Sequence, residues 1–450
     1  MARSIDIAVG FRGGLIAILI GLALVLIPGP ADAFKIEKVT SPGGIEAWLV
    51  REHSVPMITI NFAFRAGAAL DPEGKEGLAD MVSSLLDEGA GKLDSQAFQT
   101  RLEDIVASLG FRAGRDTFRG NLRTLSKYRN DAFHLLRLAL TSPRFDAKPV
   151  ARIRAQLIVG LKRDAEDPDS IAGRLWFETV FPDHPYGRPV DGRIGSIQAI
   201  TTDDLKGFVS RHLARDNLVI GVVGDISADE LAVRLDEMFG GLPAHAAAAE
   251  VPEATPAASG LTVVVDRDIP QSVVVFGQQA IKRDHPDYYA AYVMNRVLGG
   301  GGFSSRLNIE VREKRGLAYS VYSYLNPLDH VGLIMGGVAT ANARVAESLS
   351  LIRAEWKRMA EAGVDESELA AVKTYINGSF PLRLDSNRRI ARILVGIQLN
   401  RLGIDYLDRR SSLINAVTVG DIRRVAGRLL KEDRLTVVVV GRPEGLASRP

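Results

Sequence analysis

The sequence contains no cysteine, and this absence removes several kinds of chemistry at once. Without cysteine, the 450-residue chain has no disulfide, no thiolate metal ligand and no cysteine nucleophile. An excess of one charge is also lacking, because 56 Lys and Arg stand against 54 Asp and Glu, for a formal net charge of +2. This balance gives no reason to expect nucleic acid or an anionic membrane as a partner. Apolar residues at 46% and charged residues at 24% are typical of a globular protein and exclude a disordered chain.

Long apolar runs are absent too, apart from one near the N-terminus. There, two arginines precede the apolar stretch Leu15 to Ile27, and the small residues Ala31 and Ala33 flank an aspartate shortly after it. Because the stretch is shorter than the ~20 residues that span a bilayer, this layout is typical of a secretory signal peptide. We expect cleavage near Ala33 and a periplasmic mature chain without a stable membrane anchor. An uncleaved N-terminal anchor is the alternative.

The rest of the chain contains an internal duplication. Residues 197–205 match residues 414–422 without a gap, at a constant offset of 217 positions. In both copies a threonine, Thr201 or Thr418, stands three residues before an aspartate, as at the start of a capped helix. Residues between the copies are rich in Ala and Pro and favour a linker. We therefore expect a signal peptide (1–33), an N-terminal domain (34–243), a linker (244–259) and a C-terminal domain (260–450).

Each half begins with a strand pattern and continues with helices. Apolar residues alternate from Ile58 to Phe64, and residues 273–276 occupy the equivalent place in the second half. The helical patterns cover residues 75–88, 95–108, 126–140, 341–362 and 366–380. Few strands with many helices predict an α+β fold, in which two homologous α/β halves each have a sheet covered by helices.

Three stretches of the chain together resemble the sequence pattern of a known protein family. They are residues 67–90, residues 181–192, and residues 298–324, the last of which contains the run Gly299 to Gly302. Together they resemble the pitrilysin/insulinase-type zinc metallopeptidases, the inverted zincins. The resemblance extends over essentially the whole mature chain, including its two halves. It implies that the two halves form half of a chamber, which a second subunit closes and which admits peptides.

The zinc-binding motif of this family is missing from the chain. The motif is H-x-x-E-H, in which two histidines bind the metal and the glutamate is the general base. Aligned through residues 77–79, these positions hold Asp80, Ser83 and Ser84. Serine is a poor zinc ligand and no base near neutral pH. The resemblance implies a third ligand, a glutamate, within residues 156–161, which contain no carboxylate. We therefore predict a degenerate metal site, with no metal or other cofactor in this chain.

Arg312 and Tyr319 match a different part of the family's machinery. The resemblance implies that an arginine and a tyrosine at this spacing hold the substrate carbonyl and its tetrahedral intermediate in active members. Both side chains donate hydrogen bonds, which suits a developing oxyanion. They are therefore candidate catalytic residues. A solvated arginine at a helix end and an ordinary strand tyrosine are the alternative.

The sequence around this pair predicts a helix followed by a strand. Residues 303–314 favour the helix, and Gly316 is expected to end it. A strand from residue 317 onward would place Tyr319, Val321 and Ser323 on one face, because alternate residues of a strand share a face.

A candidate substrate-binding element is the segment made of Gly110, Phe111, Arg112, Ala113 and Gly114. This segment and residues 117–124 predict two paired strands. In the family that the chain resembles, an edge strand in this region adds the substrate peptide as a further strand. We therefore expect the segment to bind peptide, with a plain sheet edge as the alternative.

These observations lead to one functional hypothesis and two alternatives. We expect the chain to be the zinc-free subunit of a periplasmic heterodimeric metallopeptidase that degrades peptides. Its partner would be a homologous subunit with H-x-x-E-H, which would hold the zinc. The first alternative is a non-catalytic peptide-binding or scaffold protein of the same fold. The second is a homodimer that hydrolyses peptides at some other site, although no Ser-His-Asp or paired-carboxylate motif recommends it.

Overall fold

The first half of the protein is built on a six-stranded sheet. The computed structural model describes residues 35–248, 250–257 and 259–448, so the expected signal peptide lies outside the described residues. The strands of this sheet are β1 (Glu37–Thr40), β2 (Glu46–Arg51), β3 (Met57–Phe64), β4 (Ser108–Ala113), β5 (Phe118–Leu125) and β6 (Leu218–Gly224). Their order is β1-β2-β6-β3-β5-β4, which leaves β4 at one edge.

The second half is built on a five-stranded sheet with the same topology. Its strands are β7 (Thr262–Val265), β8 (Gln271–Gln279), β9 (Ala318–Pro327), β10 (Gly332–Ala341) and β11 (Thr436–Val440). Their order, β7-β11-β8-β10-β9, repeats β2-β6-β3-β5-β4 strand for strand. In both sheets the first of these pairs is parallel and the others are antiparallel. The predicted α+β fold with two related halves is therefore confirmed.

Helices surround both sheets. In the first half they are α1 (Leu78–Ser83), α2 (Ser95–Asp104), α3 (Arg129–Thr141), α4 (Ala147–Asp164), α5 (Pro168–Val180), α6 (Ile194–Ala199), α7 (Thr202–His212) and α8 (Ala228–Phe239). In the second half they are α9 (Tyr288–Asn295), α10 (Val345–Ala362), α11 (Glu366–Ser379), α12 (Asn387–Leu399), α13 (Tyr406–Asn415) and α14 (Val419–Leu429). Among the described residues, no helix is both long enough and apolar enough to cross a membrane.

The two duplicated helices start in the predicted way. The Thr201 hydroxyl accepts the Asp204 N–H at 3.2 Å, and the Asp204 carboxylate accepts the Thr201 N–H at 2.7 Å. Thr418 and Asp421 make the same reciprocal pair at the start of α14. Because each pair satisfies two amides that a helix start leaves unpaired, the same local sequence fixes the start of the same helix twice.

The predicted helix over residues 75–88 was too long, since α1 covers only Leu78–Ser83. Gly77 precedes it in a left-handed conformation, with φ at +90°, and this breaks any continuation towards Lys75. On the other side, the chain leaves the helix and reaches Gly89, whose φ is +111°. Glycine adopts such angles without the steric cost that a β-carbon brings.

The two halves exchange one helix each. Helix α5 of the first half packs on β8 and β11 of the second sheet, and α12 of the second half packs on β3 and β6 of the first. The indole N–H of Trp176 donates to the carbonyl of Thr436 at 3.1 Å. In the opposite direction, the Gln398 amide donates to the carbonyl of Ile220 at 2.9 Å. As a result, the described residues from Glu37 onward form one compact unit.

The expected linker, residues 244–259, has no helix or strand in its described part. It is nevertheless attached to both halves. The Ala257 N–H donates to the carbonyl of Val180, and the Ala254 N–H donates to the carbonyl of His330. Lys282 forms an ion pair with Glu253 at 2.9 Å. These contacts hold the connection against the surface along which the halves meet.

Candidate functional site

The positions of the family's zinc motif lie on or directly after the short helix α1. The hydroxyl of Ser83 is directed back into the helix, where it donates to the carbonyl of Asp80 at 2.8 Å. Ser84 follows as the C-terminal cap residue of the helix. The described residues contain no group of three or more His, Asp or Glu side chains close enough to hold a metal ion. These donors do not fit a zinc ion, so no chemical step of this chain is assigned to one.

Asp80 is a half-buried acid at the first of these positions. Burial raises its pKa to about 6, and the nearby Asp191 adds to this effect, while the positive charge of Arg112 acts against it. The carboxyl therefore takes up and releases a proton close to neutral pH. It resembles a general acid or base in this respect, but among the described residues no metal-binding group of side chains lies beside it.

Asp71 supports the start of α1 and was not singled out from the sequence. Its carboxylate accepts the N–H groups of Gly77 at 2.9 Å and Ala79 at 3.0 Å. Burial raises its pKa to about 7, even though these hydrogen bonds and the charge of Arg188 oppose the rise. Asp71 is thus a structural cap that fixes α1 beside the sheet. The sequence offered one signal for it, an aspartate before a Pro-Glu-Gly turn.

The expected peptide-binding segment forms the edge strand β4 and the turn after it. Strand β4 pairs with β5 on one side, and no other strand among the described residues pairs with its outer edge. Phe111 turns into the core, where its ring lies 6.2 Å from that of Phe62, whereas Arg112 is exposed on the opposite face. Helix α1 packs beside β4, so the structure brings Asp80 and Arg112 into one neighbourhood. Gly114 lies in the turn and accepts the N–H of Ala68.

Arg312 and Tyr319 lie next to each other on the second half. The guanidinium carbon of Arg312 is 5.0 Å from the centre of the Tyr319 ring and 4.5 Å from that of Phe303. Tyr319 is 84% exposed and Phe303 is 65% exposed. Arg312 forms no ion pair, and the Tyr319 hydroxyl forms no hydrogen bond, with any described residue. Because an aromatic ring so exposed adds little to folding, the cluster is suited to contact with another molecule.

The structure corrects the expected conformation of this region. The helix expected over residues 303–314 is replaced by a 3₁₀ turn, Gly302–Ser304, and a π-helical segment, Asn308–Glu313, which carries Arg312. Gly316 follows in the left-handed conformation, with φ at +60°. The N–H of Gly316 donates to the carbonyl of Arg312 at 2.8 Å. The glycine therefore ends the segment as predicted, although the hydrogen bonds of the segment span five residues instead of four.

The prediction that Tyr319, Val321 and Ser323 share one face was wrong for Tyr319. Val321 and Ser323 are buried, at 1% and 2% exposure, whereas Tyr319 is exposed. In the ladder between β9 and β10, Thr340 pairs with Ala318 and Ala339 pairs with Ser320, so Tyr319 is an extra, unpaired residue. Such a bulge shifts the alternation by one position and directs the side chain away from the core.

The structure places the candidate residues in two groups, one on each half. The first group combines the degenerate motif of α1 with the edge strand β4, and the second combines Arg312, Tyr319 and Phe303. Phe303 was missed as a member of the site, although the sequence signal for it was present, since it directly follows the glycine run 299–302. The protein is thus a duplicated α+β molecule that holds Asp80, Ser83 and Ser84 where the metallopeptidases that its sequence resembles have their zinc motif.

Comparison with known proteins assigns the family. The model of the family described as "Peptidase M16 inactive domain" matches residues 199–376. The non-peptidase homolog YmxG of Helicobacter pylori is 30% identical over 370 residues, which are 82% of this chain and 84% of that protein. An uncharacterized zinc protease of Streptomyces coelicolor is 26% identical over 92% of each chain. The chain therefore belongs to the peptidase M16 family, in agreement with the resemblance that its sequence indicated.

Solved structures agree with this assignment. The crystal structure of a peptidase M16 inactive domain from Pseudomonas fluorescens has a TM-score of 0.85 and 29% identity, and the match covers 92% of this chain and 99% of that one. A protease from Helicobacter pylori has a TM-score of 0.82 and 21% identity over 90% of this chain and 99% of that one, and it shows the likeness of fold alone. Both structures therefore share the fold of this chain, and the Pseudomonas fluorescens structure, at 29% identity, agrees with the family assignment.

Proposed function

We propose that this chain is the zinc-free subunit of a two-subunit peptidase and that Arg312 and Tyr319 act at a site completed by the partner. The observation that carries the proposal is the Arg312–Tyr319 pair itself, in which Tyr319 is exposed, Arg312 is partly exposed, and neither side chain has an ion-pair or hydrogen-bonding partner among the described residues. The degenerate motif on α1 is a second observation that supports the proposal. This chain has the Arg312–Tyr319 pair but lacks the zinc motif. A homologue that has both histidines and the glutamate would supply the missing part.

The chemistry of the pair fits the stabilisation of a substrate carbonyl. A guanidinium and a phenol both donate hydrogen bonds, and neither has to lose an internal partner here before it binds substrate. When a peptide carbonyl becomes tetrahedral, negative charge develops on its oxygen, and preorganised donors then bind more strongly than in the ground state. Phe303 stacks against the guanidinium and limits its rotation, which lowers the entropy cost of positioning it.

The edge strand β4 is the proposed site for the peptide backbone. Its unpaired outer edge can accept an extended peptide as an additional strand, so that main-chain hydrogen bonds supply affinity without regard to sequence. The residues that accept the peptide would be those of the segment Gly110–Gly114.

The proposed location of the enzyme is the periplasm. The charged start, short apolar stretch and small residues before position 34 support export of the mature chain. The check is intact mass and N-terminal sequencing of the protein recovered from the periplasmic fraction, where we expect a chain that begins at or near Phe34. A full-length chain in the membrane fraction would contradict this location.

The activity is tested with the purified mature chain, alone and mixed with an M16 homologue from the same source that carries H-x-x-E-H. We expect no peptide turnover by the chain alone and chelator-sensitive turnover by the mixture. In the mixture, Arg312→Ala should lower kcat about 100-fold and Tyr319→Phe about 10- to 100-fold, because each removes a donor to the oxyanion.

Two variants serve as matched controls. Tyr375→Phe changes a tyrosine that is 54% exposed and also lies against an arginine, Arg296, that does not belong to the proposed pair. Lys314→Ala removes a positive charge two residues from Arg312, from an exposed ion pair of small energetic value. Both should keep turnover within about twofold of wild type. If the Arg312 and Tyr319 variants behaved like these controls, the proposed role of the pair would be wrong.

A second candidate is a non-catalytic peptide-binding or scaffold protein. The observation in its favour is that the relative YmxG, which matches 82% of this chain, is named a non-peptidase homolog. The same mixing experiment separates the two candidates. A mixture that binds peptides without cleaving them, or a chain that forms a stable complex with no H-x-x-E-H homologue, would favour the scaffold.

A further inference from the structure

A positively charged groove lies on the first sheet, between its edge strand β4 and helix α12. Its volume is about 840 Å³. Four arginines line it: Arg112 on β4, Arg119 on β5, and Arg388 and Arg392 one turn apart on α12. None of the residues that line the groove is an aspartate or a glutamate. The groove therefore combines the free edge of the sheet with a concentration of one charge, in a chain whose net charge is only +2.

The four arginines have no carboxylate partners within the described part of the chain. Arg119 donates to the hydroxyl of Thr117 at 3.1 Å, and no ion pair involves any of the four. By contrast, Arg389, which follows Arg388 on the same helix, pairs with Asp385 at 2.6 Å. The positive charge of Arg112 acts to lower the pKa of Asp80, but the two side chains form no ion pair. The arginines of the groove are thus available to an anion from outside.

The arrangement costs stability when the groove is empty. Arg112 and Arg119 stand directly opposite each other in the β4–β5 ladder, on the exposed face. Like charges in this position repel each other across the strands. The pKa of Arg119 is lowered by burial and then by the positive charges of Arg392 and Arg112. A bound anion would remove this repulsion.

We propose that the groove binds an acidic peptide segment, which lies as an extended strand along β4 and directs alternate Asp or Glu side chains towards the four arginines. The geometry favours such a ligand because alternate side chains of an added strand point to one face of the sheet. Guanidinium groups bind carboxylates with two parallel hydrogen bonds. The inference rests on the proposed function, in that it names the class of peptide that β4 receives.

The groove is less suited to a single-stranded nucleic acid. Such ligands usually stack their bases on exposed aromatic rings. Phe62 is the one aromatic residue among those that line the groove, and it is 1% exposed. The observations therefore favour a peptide, and a nucleic acid becomes an outcome of the test.

The test measures binding of labelled ten-residue peptides to the mature chain alone, by fluorescence anisotropy. Three peptides differ only at alternate positions, which hold Glu, Gln or Lys. We expect the Glu peptide to bind at least tenfold more tightly than the Gln peptide, and the Lys peptide to bind most weakly. The difference should shrink in about 0.5 M salt, because exposed charges are screened. A fourth peptide carries the same Glu residues with alternate prolines, which remove the amides needed for strand pairing.

Variants of the chain locate the binding. Arg112→Gln and Arg392→Gln should each weaken binding of the Glu peptide about fivefold or more, since each removes a charge-assisted hydrogen bond. The matched control is Arg389→Gln, which removes an exposed arginine of α12 that does not line the groove and should leave binding unchanged. Circular dichroism verifies the fold of each variant, and Arg388→Gln is a further test on the same groove.

Several results would overturn the inference. They are equal binding of the Glu and Gln peptides, equal loss in the Arg389→Gln control, undiminished binding of the proline-containing peptide, and binding of a single-stranded oligonucleotide as tight as that of the Glu peptide. Failure of this inference is distinguishable from failure of the proposed function. A mixture of subunits that cleaves the Glu and Gln peptides equally well in an Arg312-dependent way would keep the function and reject the acidic ligand.

Discussion

Among single residues, Asp80 combines the position of a metal ligand with the environment of a buried acid. An aspartate has a pKa of about 3.8 when it is exposed, and here burial raises the value to about 6. Between these two values the folded protein holds more protons than the unfolded chain. Stability therefore falls as the pH rises from about 4 to about 6, and the loss persists above that range.

The residue-scale prediction is that Asp80→Asn stabilises the protein at alkaline pH. Asparagine keeps the shape without the buried charge, so the free energy of unfolding should rise by about 1–2 kcal/mol at pH 8 and change little near pH 4. Urea unfolding of both proteins at the two pH values measures this. Asp183→Asn, at an exposed turn position, is the control and should show no gain. Equal stability of wild type and Asp80→Asn at pH 8 would refute the assignment of a raised pKa.

At the scale of elements, the start of α1 depends on a backbone conformation that only glycine adopts easily. Gly77 has φ at +90°, and a β-carbon there would lie 2.9 Å from the carbonyl oxygen of Asp191 and 2.6 Å from the Ile197 side chain. Gly77→Ala should therefore destabilise the protein by about 2–4 kcal/mol, through strain and crowding together. Gly74→Ala is the matched control, because its φ is +75° but no atom lies within 4 Å of the added carbon.

The control separates the two costs of the Gly77 substitution. Gly74→Ala should cost about 1 kcal/mol, which is the strain of the left-handed conformation alone. Thermal unfolding of both variants provides the comparison. If the two substitutions cost the same, the close packing of the Gly77 turn against residues 191–197 would be without energetic consequence, contrary to this account.

The helices and strands also show which features could be predicted from the sequence and which could not. The caps at Thr201 and Thr418 were predictable, because a threonine and an aspartate three residues apart contain all the atoms of the interaction. The bulge at Tyr319 was not, since it is defined by how Ala318 and Ser320 pair with another strand. The π-helical winding around Arg312 was hidden for a similar reason. The step from hydrogen bonds that span four residues to hydrogen bonds that span five depends on packing, and it leaves the apolar pattern nearly unaltered.

For the whole molecule, the duplication was visible in the sequence but the exchange of helices was not. The repeated offset of 217 positions predicts that α5 and α12 are equivalent helices, and nothing in that offset tells which sheet each one covers. The structure shows that each covers the sheet of the other half. For this reason the arginine groove could not be predicted either, because Arg388 and Arg392 meet Arg112 only through the exchange.

The same exchange gives the two halves different surfaces at equivalent places. Beside α12 the first sheet presents arginines, whereas beside α5 the second sheet presents Tyr322 and Tyr324, whose rings stack 6.2 Å apart. The duplicated fold thus has a basic surface beside α12 and an aromatic surface beside α5. If both surfaces face a chamber that a partner subunit closes, as the resemblance of the sequence implies, acidic and apolar parts of one peptide would be held on different halves.

The exchange also predicts that the two halves unfold together. Leu394 on α12 is fully buried, and α12 approaches the first sheet so closely that a β-carbon on Gly221 would lie 2.9 Å from the Leu394 side chain. Leu394→Ala should lower the free energy of unfolding by about 2–5 kcal/mol, because it removes buried area and leaves a cavity. The loss should reach both sheets, since α12 is covalently part of the second half while it packs on the first.

Hydrogen exchange measured by mass spectrometry tests this coupling. Peptides from β3 and β6 of the first sheet, and from β8 and β11 of the second, should lose protection by the same free energy in Leu394→Ala, as members of one cooperative unit. Leu382→Ala, at a leucine that is 72% exposed just before α12, is the matched control and should leave both sheets unchanged. A loss confined to β3 and β6 would mean that the halves open independently. In that case α12 could detach from the first sheet while the second half stays folded. A peptide chamber could then open within one subunit without dissociation of the two subunits.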